Sequence, residues 1–213
     1  MSGRIYGFEI IDKVDGRGKI PVKVFDLSGV EKFQGFGSSI IAGDFLENGE
    51  KLLLVGSKSE TYEKGFPLYG KDWQAGAIRL IDMQYLNENK KLSDHDMIFG
   101  KGLLALLRGS ESASHLGSSL LWDIDEKSFW SSEPFTYWES GQIFRYSFGS
   151  LKSKSSESIN PETCLVGRER QARFGHKIIK FDFDGDGKKD LVVSSIHSNR
   201  IARLSGSVSI ILD

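Results

Sequence analysis

Short apolar runs alternate with polar, glycine-containing turns along most of the chain. Lys177–Phe181 and Leu191–Val193 are good examples, because β-branched residues recur in both and a polar Asp/Gly segment separates them. Runs of this length and composition are typical of β-strands, and glycine between them favours tight turns. The pattern therefore predicts an all-β protein built from many short strands.

The same frame of strands and turns occurs three times in the sequence. In each copy two glycines stand eight residues apart, and an apolar run follows them. The copy then ends in a further apolar segment that begins with glycine and is here called its closing strand. Repeated units of about four short strands are typical of β-propeller blades, which bury their faces against neighbouring blades. The glycine pairs are Gly29 and Gly37, Gly109 and Gly117, and Gly167 and Gly175.

These copies predict a partial β-propeller of about three four-stranded blades, at residues 27–83, 107–147 and 165–213. Residues 1–26 are assigned to a preceding or connecting blade, because Gly3–Ile10 matches the closing strand of each copy and supplies one N-terminal strand. The alternative is a β-sandwich in which the glycine spacing is coincidental. An open stack of blades leaves apolar faces uncovered, so another chain or missing blades are expected to complete the ring.

An acidic segment lies between the two strands of the third copy. Its aspartates occupy loop positions 1, 3, 5 and 9, and Gly187 at position 6 permits a sharp turn. Carboxylates that converge in this way repel one another unless a hard cation lies between them, and Ca²⁺ is the usual one. The predicted metal ligands are the side chains of Asp182, Asp184, Asp186 and Asp190 and the backbone carbonyl of Lys188.

The acidic segment differs from an EF-hand, which needs a glutamate at position 12 and a helix on each side. Position 12 is Val193, and both flanks are strand-like. A solvated Asp/Gly turn without metal is the alternative interpretation. In the first copy, the loop that begins at Asp44 has leucine at positions 3 and 9, so we expect a turn without metal there. The second copy has a loop four residues shorter, where Asp123 and Asp125 are expected to be turn residues.

The composition limits the possible partners. Lys and Arg number 28 against 29 Asp and Glu, so the nearly neutral chain carries no electrostatic signature of nucleic-acid or anionic membrane binding. No apolar run reaches the length of a membrane-spanning helix, and the first residues lack the apolar core of a signal peptide. The single cysteine excludes a disulfide within the chain.

The sequence contains no recognisable catalytic constellation. The histidines lie in different parts of the chain without zinc-ligand spacing, and no G-x-S-x-G motif is present. His176 occupies the position of Ser38 and Ser118 in the other copies, which favours a structural role. Cys164 lies in an approach strand, where a small buried residue is expected. We therefore expect no catalytic residue. The histidines are His95, His115, His176 and His197.

Three other segments have simple interpretations. Trp122 and Trp130 belong to predicted strands and are expected to pack between blades. Trp73 and Trp138 precede closing strands and are the better candidates for an exposed surface that binds a glycan or protein. The polar stretch Gln84–Asp96 is expected to be a solvated loop.

The order of these motifs resembles the FG-GAP repeat. Phe174-Gly175 is followed by Asp-x-Asp-x-Asp-Gly-x-x-Asp-Leu-x-Val and then by a closing strand led by glycine. The resemblance is strong over 165–213, good over 27–81 and loose over 107–146. It implies the β-propeller found in integrin α chains and in glycosylphosphatidylinositol-specific phospholipase D, with calcium held by the acidic segment of the third copy. The long loop Ser57–Gly76 and the irregular blades are more similar to the phospholipase D propeller than to an integrin.

The same resemblance implies three possible functions. The preferred one is a calcium-binding propeller module or fragment with a binding or structural role and no catalytic residues of its own. The second is the C-terminal part of a phospholipase D of this family, whose reaction belongs to a separate domain that nothing here resembles. The third is an integrin-like adhesion module. The family suggests an extracellular or lumenal location, whereas the sequence carries no signal for one.

Overall fold

The computed structural model describes residues 2–14, 16–45, 47–63, 71–93, 102–149 and 160–213. The prediction of an all-β fold is confirmed, because strands account for 49% and helices for 7% of the structure. The strands are β1 (Arg4–Asp12), β2 (Lys19–Ser28), β3 (Phe36–Gly43), β4 (Leu52–Ser57), β5 (Tyr62–Glu63), β6 (Lys71–Asp72), β7 (Ala77–Asp82), β8 (Lys91–Ser93), β9 (Leu103–Arg108), β10 (Leu120–Asp123), β11 (Ser128–Glu133), β12 (Gln142–Ser147), β13 (Thr163–Val166), β14 (Phe174–Phe181), β15 (Asp190–Ser195) and β16 (Ser207–Ile211). The helical segments are α1 (Met83–Glu88) and α2 (Thr136–Glu139).

The strands form four main sheets, which follow one another along the chain. Sheet 1 has the order β1-β2-β8, sheet 2 β3-β4-β7-β9, sheet 3 β10-β11-β12-β13 and sheet 4 β14-β15-β16. Neighbouring strands are antiparallel except β8, which pairs in parallel with the end of β2. Strands β5 and β6 form a separate two-stranded ribbon. Consecutive antiparallel strands joined by short turns explain why each sheet is local in sequence.

Three apolar clusters lie between consecutive sheets. Strand β4 shows how this is achieved: Leu53 and Val55 pack towards sheet 1, whereas Leu52 and Leu54 pack towards sheet 3. Because successive side chains of a strand point to opposite faces, a continuous apolar strand buries both faces of its sheet. The third cluster joins sheets 3 and 4. Sheets 2 and 3 are therefore covered on both faces by their neighbours.

Two tryptophans contribute to these clusters. The Trp122 ring meets the Phe45 ring edge-on, with ring centroids 5.0 Å apart, so it packs sheet 3 against sheet 2. Trp130 belongs to the cluster between sheets 3 and 4, together with Phe174 and Leu191. The prediction that both tryptophans pack between sheets is confirmed.

The repeat is also visible in the backbone hydrogen bonds. The amide of the first glycine of each pair donates to the carbonyl of a glycine that precedes or opens a closing strand: Gly29 to Gly3 at 3.1 Å, Gly109 to Gly76 at 2.9 Å, and Gly167 to Gly141 at 2.8 Å. Gly3, Gly76 and Gly141 have φ values of 92°, 82° and 82°, and a Cβ on each would lie within 2.5 Å of a backbone carbonyl oxygen. Glycine is required at these positions, since any side chain would collide with the segment that leads into the next sheet.

The boundaries of the sheets do not coincide with those of the three sequence copies, because the first strand of a copy belongs to the preceding sheet. Leu107 and Leu165 each open a copy, yet they lie in β9 and β13, the outer strands of sheets 2 and 3. Sheet 1 contains three strands where one N-terminal strand was expected, because β2 pairs with β1 on one side and with β8 on the other. The expectation of a solvated loop at Gln84–Asp96 is wrong for its first part, since α1 and β8 occupy it.

Helix α1 begins at Met83 because the side chain of Asp82 caps it, with Oδ1 accepting from the amide of Gln84 at 2.8 Å. Residues 94–96, which include His95, lie outside the described residues. In the described part of the chain no helix has the length and apolar character needed to cross a bilayer.

Candidate metal centre

The acidic loop (Asp182–Asp190) connects β14 to β15. Asp190 is the first residue of β15 and is buried. Its two carboxylate oxygens accept hydrogen bonds from the amides of Phe183, at 2.8 Å, and Asp213, at 3.1 Å. These bonds fix one carboxylate at the base of the loop, against the segment that follows the last strand.

Hydrogen bonds to the loop amides hold the other aspartates. Asp182 accepts from the amides of Gly185, at 2.7 Å, and Gly187, at 3.1 Å. Asp184 accepts from the amide of Asp186 at 3.2 Å. Gly185 and Gly187 have φ values of 80° and 90°, which are accessible to glycine without strain. The chain therefore turns around the side chain of Asp182, and further carboxylates lie close to it.

Three of the predicted ligands lie close enough together to share one ion. One carboxylate oxygen from each of Asp182, Asp184 and Asp190 lies within 4.8 Å of the others. Oxygen ligands about 2.3–2.6 Å from one hard cation lie no more than about 5 Å apart, so the spacing of this group allows one cation to be shared. Asp186 is not part of the group; its Oδ1 accepts from the amide of Lys188 at 2.8 Å. The roles of Asp186 and of the Lys188 carbonyl stay predictions.

The negative charge of the acidic loop is not balanced by nearby cationic side chains. Among the described residues, no Lys, Arg or His nitrogen lies within 4.0 Å of the loop's carboxylates. The adjacent Lys189 pairs with Asp125 at 3.1 Å, and Lys180 pairs with Asp123 at 2.8 Å. Asp125 lies in the turn between β10 and β11 as expected, whereas Asp123 is the last residue of β10. The expectation that neither residue binds a metal stays a prediction. Within the described residues, the charge of the acidic-loop carboxylates is therefore compensated by backbone N–H donors alone.

The loop of the first copy has the same turn with fewer acidic groups. The amide of Gly49 donates to Asp44 at 2.8 Å, as that of Gly187 does to Asp182. Leu52 replaces Asp190 at the start of the following strand and is buried in the apolar cluster between sheets 2 and 3. Leu46, at position 3, lies outside the described residues. The loop at Asp44 therefore provides an internal comparison, in which the turn is retained and the ligand set is not.

Cys164 is exposed, so the expectation that it would be buried is wrong. It lies on β13, the outer strand of sheet 3, along which partly buried and exposed side chains alternate. Partial burial, followed by the nearby Glu133 carboxylate, raises the pKa of the thiol above its usual value. A raised pKa disfavours the thiolate, so Cys164 has none of the activation that a nucleophilic cysteine needs.

Trp73 and Trp138 are both exposed. Their carbonyls occupy equivalent positions, since Trp73 accepts from the amide of Ala113 at 2.6 Å and Trp138 from that of Gln171 at 3.0 Å. The guanidinium of Arg170 lies 5.7 Å from the centre of the Trp138 ring. Their exposure agrees with the prediction made from the sequence that both lie at the surface. That this surface binds a glycan or protein stays a prediction.

Two histidines that lie far apart in the sequence line one cavity. His115 and His176 are brought together with Lys58 and Arg173 where sheets 2, 3 and 4 meet. Burial, and then Lys58 and Arg173, lower the pKa of His115; burial, and then a set of cations led by Lys177, lowers that of His176. This cavity was not predicted from the sequence. The equivalence of His176 with Ser118 was the signal that could have revealed it.

No known protein-family model matches this sequence, and no curated protein matches it either.

Proposed function

We propose that the chain is a non-catalytic, calcium-binding β-propeller module whose open end sheets pack against further blades. Four sheets follow one another in sequence, and the first three share the same glycine-to-glycine backbone hydrogen bond, which supports a propeller arrangement. The resemblance to FG-GAP repeats supports the same interpretation. The observation that carries the proposal is an apolar row that is buried in sheet 2 and exposed in sheet 4.

In sheet 2 the row consists of Ile41, Leu54 and Leu80, paired across strands β3, β4 and β7. It belongs to the apolar cluster between sheets 2 and 3, and Leu54 and Leu80 are 0% and 1% exposed. Sheet 3 therefore covers this row. Burial of such side chains contributes about 1.5–3 kcal/mol each relative to leaving them in water.

The equivalent row in sheet 4 consists of Ile179, Val192 and Ile210, paired in the same way across β14, β15 and β16. Here Ile179 is 55% and Ile210 is 37% exposed. Phe181 and Val208 on the same sheet are also exposed. A contiguous apolar face in the position that the next sheet occupies elsewhere in the chain is the surface on which a further blade packs.

Sheet 1 has an open face as well. Tyr6, Phe8 and Ile10 alternate along β1 and are exposed, whereas Ile5 packs against sheet 2. The alternation places these three side chains on the face that points away from sheet 2. Both ends of the stack therefore present apolar surface, and the open face of a second copy has the apolar character needed to cover that of sheet 4.

We expect the protein to self-associate through these faces. The double substitution Ile179→Lys with Ile210→Lys is expected to shift the species seen by multi-angle light scattering towards the 23.8 kDa monomer, because burying two charges in the contact is unfavourable. The control is Val14→Lys with Ile124→Lys, which adds the same charge at exposed apolar positions outside the row. A wild type that is monomeric at high protein concentration would reject association through this surface.

The calcium part of the proposal is supported by the three convergent carboxylates and by the lack of a cationic partner within the described residues. Calorimetric titration is expected to show one calcium ion per chain. Asp184→Ala with Asp186→Ala should remove that binding, since it takes away two of the four predicted carboxylate ligands. Asp44→Ala is the matched control, because Asp44 holds the same turn without the same ligand set. Equal calcium binding by wild type and the double variant would disprove the assignment.

A further inference from the structure

A cavity of about 330 Å³ lies where sheets 2, 3 and 4 meet, and equivalent positions of the three copies line it. The residue after the second glycine of each pair contributes one set, and the residue after the second strand of each sheet contributes another. Symmetry of this kind places the cavity at the centre of the arrangement rather than within one sheet. The residues after the second glycines are Ser38, Ser118 and His176, and those after the second strands are Lys58, Pro134 and Ile196.

The cavity is strongly cationic. Lys58, Arg173 and Lys177 line it together with His115 and His176. In the part of the chain that the structure describes, neither lysine has a carboxylate within 4.0 Å. Among the described lining residues, Arg173 pairs with Glu139 through two nitrogens, each 2.8 Å from the same oxygen. One carboxylate therefore faces three permanent cations, which repel one another across the cavity.

An aromatic wall holds two of the cationic groups in place. The Phe135 ring lies against the His115 ring with centroids 4.4 Å apart, and the Arg173 guanidinium carbon lies 4.4 Å from its centre. His115 and Arg173 both stand two residues before the second glycine of a pair, with φ values of 62° and 56°. This left-handed conformation costs free energy for residues other than glycine, so the surrounding structure holds both side chains in a fixed position.

We propose that this cationic cavity binds a small phosphate group, either as inorganic phosphate or as a phosphate monoester. Lys58 follows β4 of sheet 2, whereas Arg173 directly precedes β14 of sheet 4 and Lys177 lies within that strand. Cations from two sheets therefore line the cavity, which suits an oxyanion that presents three or more acceptor oxygens. The volume lies at the lower end of the range of small-molecule pockets. A doubly charged anion would relieve the repulsion among the lining cations, and each neutral histidine can donate one further hydrogen bond through its ring N–H.

The cationic cavity is independent of the proposed calcium site. His176 and Lys177 stand near the beginning of β14, whereas the acidic loop follows the end of the same strand. The two sites therefore lie at opposite ends of the β14–β15 hairpin. Failure of calcium binding would leave phosphate binding intact, and the reverse also holds.

Calorimetric titration of the full chain with inorganic phosphate, at pH 7 and constant ionic strength, tests the proposal. EGTA is present so that calcium phosphate does not form. A second arm titrates sulfate into the calcium-loaded protein, and a third uses phenyl phosphate in place of inorganic phosphate. We expect saturable binding of one phosphate per chain, with tighter binding of phenyl phosphate if a monoester whose ring packs on Phe135 is the natural form.

The test variant is Lys58→Gln with Lys177→Gln, both exposed positions whose change leaves the apolar clusters intact. Its dissociation constant for phosphate is expected to rise at least about tenfold, since two charge-assisted contacts are lost. The control is Lys19→Gln with Lys91→Gln, which removes two charges from sheet 1 and should bind as wild type does. Absence of saturable binding to wild type, or equal weakening in both variants, would overturn the proposal.

Discussion

Chelation of calcium with EGTA is expected to lower the melting temperature of the protein by about 5–10 °C. A ligand at a hundredfold excess over its dissociation constant stabilises the folded state by about 2.7 kcal/mol, because it binds the folded and not the unfolded chain. For a protein of this size, about 1 kcal/mol shifts the melting temperature by about 2–4 °C. The acidic loop forms only when β14 and β15 pair, so its metal affinity contributes directly to folding.

Substitutions distinguish this effect from general ionic screening. Asp184→Ala with Asp186→Ala is expected to melt at one temperature with and without EGTA, and to match the chelated wild type. Asp44→Ala should retain the full response to EGTA, because Leu52 replaces the buried aspartate in its loop. Differential scanning fluorimetry measures all three proteins. An EGTA response that persists in the double variant would place the stabilising ion elsewhere.

The parts of the fold that were predicted correctly depend on local backbone geometry. The strands on either side of the acidic loop were read from two apolar runs and correspond to β14 and β15. The frame of repeated glycines corresponds to positions where a Cβ would collide with a neighbouring backbone, as at Gly76 and Gly141. Requirements of this kind act on single residues, so they leave a visible mark on a sequence.

The parts that were missed depend on contacts between distant segments. Strand β8 pairs in parallel with β2, and no pattern within Lys91–Ser93 indicates that partner. The cationic cavity combines Lys58, His115 and Arg173 from three sheets. Each of these residues has the sequence context of an ordinary loop residue, and the repeat relates His115 to Arg173 but not to Lys58. Pairing of edges and convergence of charges are tertiary properties, which local propensity does not encode.

The loss of Arg79 is expected to be the most destabilising single substitution considered. Arg79 lies on β7, is 1% exposed, and donates two hydrogen bonds to the carboxylate of Glu60, at 2.6 and 2.8 Å. The side chain of Gln34 donates to the same carboxylate at 2.7 Å. Arg79→Met should lower the free energy of unfolding by about 3–5 kcal/mol, because it leaves the Glu60 carboxylate buried without its cation. Urea denaturation measures the change.

The size of this effect comes from the unpaired charge rather than from the lost ion pair. Removing both partners in Arg79→Met with Glu60→Met should therefore recover most of the lost stability, since well-packed apolar side chains often replace a buried pair with little cost. Arg108→Met, in which an exposed arginine 5.0 Å from the centre of the Tyr62 ring is lost, should cost only about 0.5–1 kcal/mol. If the double variant is no more stable than Arg79→Met alone, the pair itself holds the end of sheet 2 together, and Glu60 acts as a structural anchor for the segment that leads into β3.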